Sequence, residues 1–407
     1  MSKSLPLNWE ICKFSDVAQI NPRRPSELSE LPADYPVTFV PMSSVSERSG
    51  SIEEVIEKPL SEVKRGFTYF AENDVIFAKI TPCMQNGKSA IARNLKNGLG
   101  FGSTEFHVIR PAAKVLPEWL YYFVRQQSFL DEAKSHFRGS AGQQRVPSEF
   151  ISGHKIPLPP LDEQRRIVGR IKECLGRVDE IKRLREEAQQ EVNALQAASL
   201  NEIEKGLSCP MAKVNDIIED SQNGRSIRSD EINYNGHVLT LSAIRTLELD
   251  VEQRKPVQLT DSIAEKYEIK TNDVFISRAN TIELVGLASI LTTAAPERTI
   301  YPDLMIKLTP ILAKVRPKYL ALALRFPSVR RQIQYHAKGS SQSMVKISGA
   351  SLREVAIPLP SLDEQEAIVA KADEARNVTA LLKAEFDQKA VDGLTQAILR
   401  KAFAGEL

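Results

Sequence analysis

Cysteine is scarce in this chain. Four residues (Cys12, Cys83, Cys174, Cys209) occur among 407, with no C-x-x-C pair and no cysteine–histidine cluster at zinc spacing. Neither a disulfide scaffold nor a structural zinc site is expected, and the four read as free thiols in a reducing compartment. Long apolar runs are also lacking. WLYYFV at 119–124, among the longest, is far too short to span a bilayer. The opening MSKSLPLNWE has no apolar h-region, so the expectation is a cytoplasmic protein with no signal peptide and no membrane partner. Loops that hold nucleotides or cofactors are missing too. Gly87-Lys88-Ser89 resembles the tail of a phosphate-binding loop, but Pro82 stands where its first glycine should be. The run from Gly98 through Gly100 to Gly102 leads into strand-like sequence rather than a helix, and reads as a turn. Asn21-Pro22 continues into Arg23-Arg24, not into the Pro-aromatic pair of an adenine methyltransferase pocket. Glu62 and Lys64, and again Glu268 and Lys270, match the E-x-K fragment of metal-dependent nucleases, without a suitably placed Pro-Asp and at unmatched places. Catalysis by this chain is not expected.

What is present is an ordinary globular composition, 42% hydrophobic and 26% charged, with a length that allows two or three domains. The net charge of +2 divides unevenly: +2 over residues 1–160, −1 over 161–207, +4 over 208–360 and −3 over 361–407. The basic excess sits in two segments and the acidic excess in the two that follow them. This is a mild sign that the basic segments meet a polyanion.

One phrase occurs twice. Residues 156–164 read IPLPPLDEQ and residues 357–365 read IPLPSLDEQ, an offset of 201. Other landmarks recur at offsets of 199 or 200. ENDVIFAKI at 72–80 answers TNDVFISRA at 271–279, and GKSAI at 87–91 answers GLASI at 286–290. Val115, Pro117 and Leu120 answer Val315, Pro317 and Leu320, and His136 through Ser140 answer His336 through Ser340. Such spacing is the mark of a duplicated unit rather than a short solenoid repeat. The expected segments are 1–155, 156–207, 208–356 and 357–407. Segments 1–155 and 208–356 are α+β. VTFVPM at 37–42, DVIFAKI at 74–80 and TEFHVIRP at 104–111 read as strands. Asn86-Gly87 and Asn97-Gly98 read as turns, and Leu116 to about His136 as a helix.

Each copy of the phrase leads into charged, helix-forming sequence. Alternating prolines hold IPLP extended, and the Asp-Glu pair suits a helix N-terminus. Apolar positions at Ile167, Ile171, Cys174, Val178, Ile181, Ala188, Val192 and Leu195 follow a coiled-coil spacing, imperfect near Arg185. The second series is Ile368, Ala372, Ala375, Leu382 and Phe386. From Leu161 to Gly206 a straight helix would run roughly 65–70 Å. Either each helix packs on its own globular domain, or the two pack on each other antiparallel. The second reading gives both apolar seams a partner.

Two copies of IPLP-x-LDEQ entering long helices, with a C-terminal ILRKAFAGEL at 398–407, resemble the specificity subunit of type I restriction–modification systems. The resemblance covers essentially the whole chain. It implies two similar α+β target-recognition domains separated by two long helices that form an antiparallel coiled coil, a pseudo-two-fold internal repeat. It implies a non-catalytic subunit. Each domain would read one half of a bipartite site in double-stranded DNA, and the helices would set the spacer. Two modification (methyltransferase) subunits and motor-nuclease restriction subunits would be the partners. S-adenosylmethionine, ATP and Mg²⁺ would sit on those partners, and no cofactor on this chain.

Residues that contact DNA are sought among Arg, Lys, Asn and Gln in loops and at strand ends. In the first domain these are Arg23, Arg24, Lys79, Gln85, Asn86 and Lys88, with Gln143, Gln144 and Arg145 after the Gly139-Ser140 turn. In the second they are Arg225, Arg228, Arg245, Arg278 and Asn280, with Ser340, Gln342 and Lys346 after Gly339. Each competes with the reading of a solvated surface side chain. Lys79 and Arg278 fall at matching places, which points to a shared backbone contact. Glu105 could accept from a cytosine amino group, against a structural role in the sheet. His136 and His336 recur with the repeat, as packing residues would. A scaffold of duplicated protein-binding domains is the alternative of a different class, and a nuclease or single-chain modification enzyme is a third.

Overall fold

The repeated landmarks begin as turns. A computed structural model of the chain describes residues 6–140, 143–341, 344–385 and 389–407. Asn73 and Asn272 take the left-handed backbone (φ 68° and 73°), and the aspartate after each closes the turn. Asp74 Oδ2 accepts from Ala71 N at 2.7 Å, and Asp273 Oδ2 from Lys270 N at 2.8 Å. Asparagine tolerates that conformation better than other residues with a Cβ, which accounts for N-D in both copies. Gly87 and Gly286 are left-handed as well (φ +68° and +70°). A Cβ would meet Leu130 at 3.2 Å in one and Ile333 at 2.1 Å in the other, so conformation favours glycine at both and space demands it at Gly286.

From these turns run the central strands Val75–Ala78 and Val274–Ser277. Every residue of both is buried. Val75 and Phe77 enter one apolar cluster and Ile76 another. Val274, Ile276 and Phe275 divide in the same way. A strand covered on both faces needs no polar alternation, and VIFA and VFIS have almost none.

By contact the chain forms two compact units, Met1–Arg185 with Gln388–Leu407, and Glu186–Asp387. Each carries the same sheet plan. In the first unit an antiparallel sheet orders Ala18–Ile20, Phe106–Pro111, Val75–Ala78 and Ser89–Ile91. A second sheet contains the parallel pair Pro36–Val40 and Leu99–Gly102. In the second unit the corresponding sheet orders Ile218–Asn223, Met305–Pro310, Val274–Ser277 and Ala288–Ile290, and the parallel pair is Gly236–Leu239 with Thr299–Ile300. The strands and turns expected near 37–42, 74–80 and 104–111 are present. The single helix expected from Leu116 to His136 is two helices, Pro117–Val124 and Gln127–Ser135. Arg125 ends the first and sends its guanidinium to the Gly87 and Glu47 carbonyls.

The repeated phrase forms a strand and then a helix. Lys155–Leu158 pairs antiparallel with Glu10–Lys13, and Ala356–Pro358 with Met211–Lys213. The helices Leu161–Lys205 and Leu362–Glu385 follow. The last residue of each phrase is fully buried. Gln164 Oε1 accepts from Leu116 N (2.9 Å), and its Nε2 donates to Lys114 O (3.0 Å) and Pro159 O (2.8 Å). Gln365 repeats this with Arg316 N (2.8 Å), Lys314 O (3.0 Å) and Pro360 O (3.0 Å). The strand is tied in turn: Trp119 Nε1 donates to Pro157 O and Tyr319 Oη to Pro358 O, both at 2.9 Å. The one mismatch in the phrase lies beside the helix start. Ser361 forms a capping box with Glu364, where the first copy has Pro160.

In the first unit Ile167 and Ile171 enter the main core beside Leu399, Ala402 and Phe403 of the helix Lys389–Phe403, and Arg166 Nη2 donates to Leu407 O at 3.0 Å. In the second unit Ala372 shares a core with Leu200 and Ile203, and Lys383 Nζ lies 3.3 Å from Gln196 Oε1, an antiparallel progression. Beyond Val178 the expected seam holds at Ala188 and Val192 and fails at Ile181 and Leu195. Ile181, Leu184 and Leu195 are 39%, 50% and 51% exposed. The covered line steps from Val178 in heptads through Arg185 and Val192 to Ser199. It passes polar residues, so an apolar series drifts off it. On the partner helix Leu382 is likewise exposed and Thr379 is buried in the seam. Phe386 lies outside the described residues.

Both tryptophans, Trp9 and Trp119, belong to the first unit. Gln164→Ala removes three hydrogen bonds from a dry site, a loss of about 2–4 kcal/mol. The urea transition followed by tryptophan fluorescence should move to lower concentration. Gln365→Ala should leave that transition in place and shift a second one seen by circular dichroism. An unmoved fluorescence transition in Gln164→Ala would show that the glutamine is not structural.

Candidate nucleic-acid interface

Each central strand runs out into a basic residue, Lys79 or Arg278. The backbone geometry there is the same in both units. Lys79 N donates to Glu105 O and its carbonyl accepts from Val146 N, both at 2.9 Å. Arg278 N donates to Leu304 O at 2.8 Å and its carbonyl accepts from Ile347 N at 2.9 Å. The following residue continues the match: Ile80 bridges Arg145, and Ala279 pairs with Lys346. The next strand adds a third basic position, since Arg138 bridges Arg145 and Lys338 pairs with Lys346. Neighbouring strands lie about 5 Å apart. Three basic positions therefore lie on adjacent strands in each unit: Lys79, Arg138 and Arg145 in the first, Arg278, Lys338 and Lys346 in the second. Arg138 and Arg145, like Lys338 and Lys346, share a face, while Lys79 and Arg278 stand one residue before the paired position and leave from the other. Arg138, Lys338 and Lys346 are exposed, and the other three half-buried. The sequence reading omits Arg138 and Lys338. The signal was available, because both occupy the third position of the repeated segment that starts at His136 and His336.

The surroundings fix these groups differently. Arg145 Nε and Nη2 each lie 2.8 Å from the Glu105 carboxylate. That pairing holds the Glu105 carboxyl below its ordinary range and gives Glu105 the structural role. Arg278 Nη1 donates to Asp303 O at 3.3 Å. Beneath the first hairpin His107 is buried, with Nε2 2.8 Å from Val146 O and Nδ1 3.0 Å from Asn21 Nδ2. A carbonyl only accepts, so Nε2 carries the proton and Nδ1 accepts from Asn21. Burial holds the His107 pKa below its usual value. Asn21 also accepts from Val108 N at 3.0 Å, so the Asn-Pro pair is a strand lock here.

The remaining candidates are spread more widely. Arg23 is exposed, while Arg24 donates to Lys64 O and stands 5.7 Å from the centre of the Phe101 ring. Gln85 is exposed, and Asn86 Nδ2 donates to Glu47 Oε2 at 3.0 Å. Lys88 is turned inward, bonded to Met42 O at 3.2 Å and 3.7 Å from Glu47, so it ties loops together. Gln143 is exposed beside the half-buried Gln144. Arg225 and Arg228 are exposed in the segment after Gly224. Asn280 Oδ1 accepts from Thr281 N at 2.9 Å. Arg245 stands apart from the hairpin and lines a cavity with Gln196 and Arg376. Ser340 belongs to the strand Lys338–Ser341, and Gln342 lies outside the described residues. His136 rests on Phe150, with ring centres 4.7 Å apart. All four cysteines are free thiols. Among the described residues no helix is long and apolar enough to cross a membrane.

The model of the family described as the type I restriction modification DNA specificity domain matches residues 6–192 and again 211–388. The chain belongs to this family. The specificity subunit of the type I restriction enzyme EcoAI of Escherichia coli is 38% identical over 178 residues, which is 44% of this chain and 30% of that subunit. The chain thus spans under a third of the length of that relative and of its EcoEI counterpart, where the match covers 29%. The EcoKI specificity subunit of Escherichia coli K12 is 23% identical over 99% of this chain and 90% of its own length. Among solved structures, a chain from work on assembly and conformational transition of the type I R-M system shares the fold with a TM-score of 0.77 at 24% identity, covering all of both chains. The HsdS subunit of Thermoanaerobacter tengcongensis shares it at 0.59 and 24%. Each matched DNA specificity segment of this chain includes one basic hairpin.

His107 gives the first of these segments a pH dependence. Its folded pKa is depressed, so above about pH 6.5 both folded and unfolded states are neutral and its contribution is intact. As pH falls from there toward the folded value, the unfolded state takes up the proton first and stability is lost. The thermal midpoint should drop more between pH 7.5 and 5.5 in the native chain than in His107→Gln. His154, also depressed by burial, acts with the same sign and remains in the variant. Equal slopes in the two proteins would remove His107 as a cause.

Proposed function

We propose that this chain is the non-catalytic sequence-recognition subunit of a type I restriction–modification complex, each unit reading one half of a bipartite site in double-stranded DNA. The observation that carries the proposal is the pair of matched hairpins, three basic residues at equivalent backbone positions on surfaces that otherwise diverge. Basic groups held by a shared backbone suit phosphates, which position a protein on DNA without reading it. Divergent loops around them suit two different half-sites. Arginine can pair with guanine through two donors, and lysine serves as a point charge. In this reading the paired helices set the spacer and dock two methyltransferase subunits. Motor-nuclease subunits complete the restricting assembly in the cytoplasm, and S-adenosylmethionine, ATP and Mg²⁺ belong to the partners.

The test is a gel-shift titration of the chain with its methyltransferase partner. Duplex DNA carrying one split site should bind preferentially, with affinity falling steeply with salt. Arg278→Gln should weaken binding and reduce the salt slope by about one. Exchange of residues 1–150 for another first domain should alter one half-site and leave the other intact. Equal affinity for all sequences would instead favour a protein-binding scaffold.

A further inference from the structure

Within the second unit a cavity of about 530 Å³ lies between the globular part and the helical segments, and its charge is unbalanced. Arg245, Arg325, Arg376 and Lys383 line it against a single carboxylate, Glu248. Glu248 is already paired with Arg376 at 2.7 Å, and Asp373, just outside the lining, pairs with the same guanidinium at 3.0 Å. Among the described residues no carboxylate pairs with Arg325. Its guanidinium donates to the Ala288, Ile244 and Thr246 carbonyls. Burial, and after it the nearby Arg330 and Arg376, push its pKa down to about 10. Arg376 Nη1 is buried and lacks a hydrogen-bond acceptor, a state that native proteins rarely leave uncompensated. The lining also includes the apolar Leu200, Leu247 and Leu322.

The scaffold does not demand this arrangement. In the first unit Arg125 holds the place of Arg325 and likewise donates to backbone carbonyls, those of Gly87 and Glu47. At the position matching Arg376, however, stands Leu175, and Lys318, which pairs with Glu248 and Asp373 in the second unit, is matched by Glu118. Glu118 there pairs with Arg93 and Lys172. Arg376 thus has no basic counterpart in the first unit, whereas Arg325 answers to Arg125 and Lys383 to Lys182.

We propose that this cavity binds a small phosphorylated molecule of mononucleotide size, its phosphates on Arg245, Arg376 and Lys383 and its ring against the leucines. The volume falls in the range of small-molecule sites, and an apolar wall with a few convergent donors is their usual construction. Guanidinium groups match phosphate geometry with paired donors. The phosphate could also be that of a DNA backbone, and the experiment separates the two sources.

The probe is ADP, titrated calorimetrically into the full chain. ADP should bind saturably, pyrophosphate should compete and adenosine should not. Arg245→Gln changes an exposed residue outside the Glu248 pairing. It should weaken ADP about tenfold or more, the order expected for one hydrogen bond to a charged group, with an unchanged circular dichroism spectrum. Lys346→Gln, on the hairpin, should leave ADP affinity as it was. Absence of saturable heat, or equal ADP affinity in Arg245→Gln, overturns the proposal. So does loss of ADP binding in Lys346→Gln, which would place the ligand on the hairpin. Displacement of ADP by a short duplex, with duplex affinity reduced in Arg245→Gln, would assign the cavity to backbone phosphate and overturn the free-ligand reading.

Discussion

A buried glutamine at the start of each long helix is the interaction on which the rest of the molecule depends. Gln164 and Gln365 use one acceptor and two donors on backbone groups, and those groups come from two directions. One is the phrase itself, at Pro159 or Pro360. The other is the loop before the recurring helix of the globular part, at Lys114 and Leu116 or at Lys314 and Arg316. No apolar side chain could satisfy the same carbonyls, and leaving them dry would cost more than the bonds contribute. The long helix is thereby fixed to the sheet layer at its first turn. Trp119 and Tyr319 add a second tie to the strand that precedes it. The prolines keep that strand extended and end its pairing where the helix must begin.

The legible part of the sequence was the part governed by local geometry. Asn73, Asn272, Gly87 and Gly286 occupy left-handed positions that few other residues accept, and their recurrence marked the duplicated plan before any sheet was seen. The central strands were legible because burial on both faces leaves a continuous apolar run. Beyond Val178 the helix seam was legible only in part. The apolar series found Ala188 and Val192 but also passed through the exposed Ile181 and Leu195, whereas the covered line includes Arg185 and Ser199, with Thr379 on the partner helix. Periodicity of apolar residues locates a seam only when the seam is apolar. Arginine and glutamine cover such a line with their stems and keep their polar ends wet.

The interface divides along the same boundary. Lys79 and Arg278 were found by their place after a recognisable turn, and Arg145 and Lys346 by following a glycine. Lys88, equally basic and equally near a turn, proved to be an internal tie to Met42 and Glu47. Nothing in its local sequence separates it from Lys79. The distinction is made by Glu47, forty-one residues earlier, and a single chain without its fold carries no sign of that meeting.

The two hairpins also show how one scaffold carries different chemistry. Basic residues stand at all three matched positions, but each pair exchanges lysine for arginine: Lys79 with Arg278, Arg138 with Lys338, Arg145 with Lys346. Charge is thus retained and hydrogen-bonding geometry is not. A carboxylate completes the difference. Glu105 grips Arg145 through both oxygens, while Leu304 occupies its place in the second unit. A guanidinium held this way presents a fixed remainder of its donor fork and a reduced net charge. A lysine without that partner keeps its full charge and its freedom to turn. The first arrangement favours one geometry of contact, and the second tolerates several, although the backbone beneath them is the same.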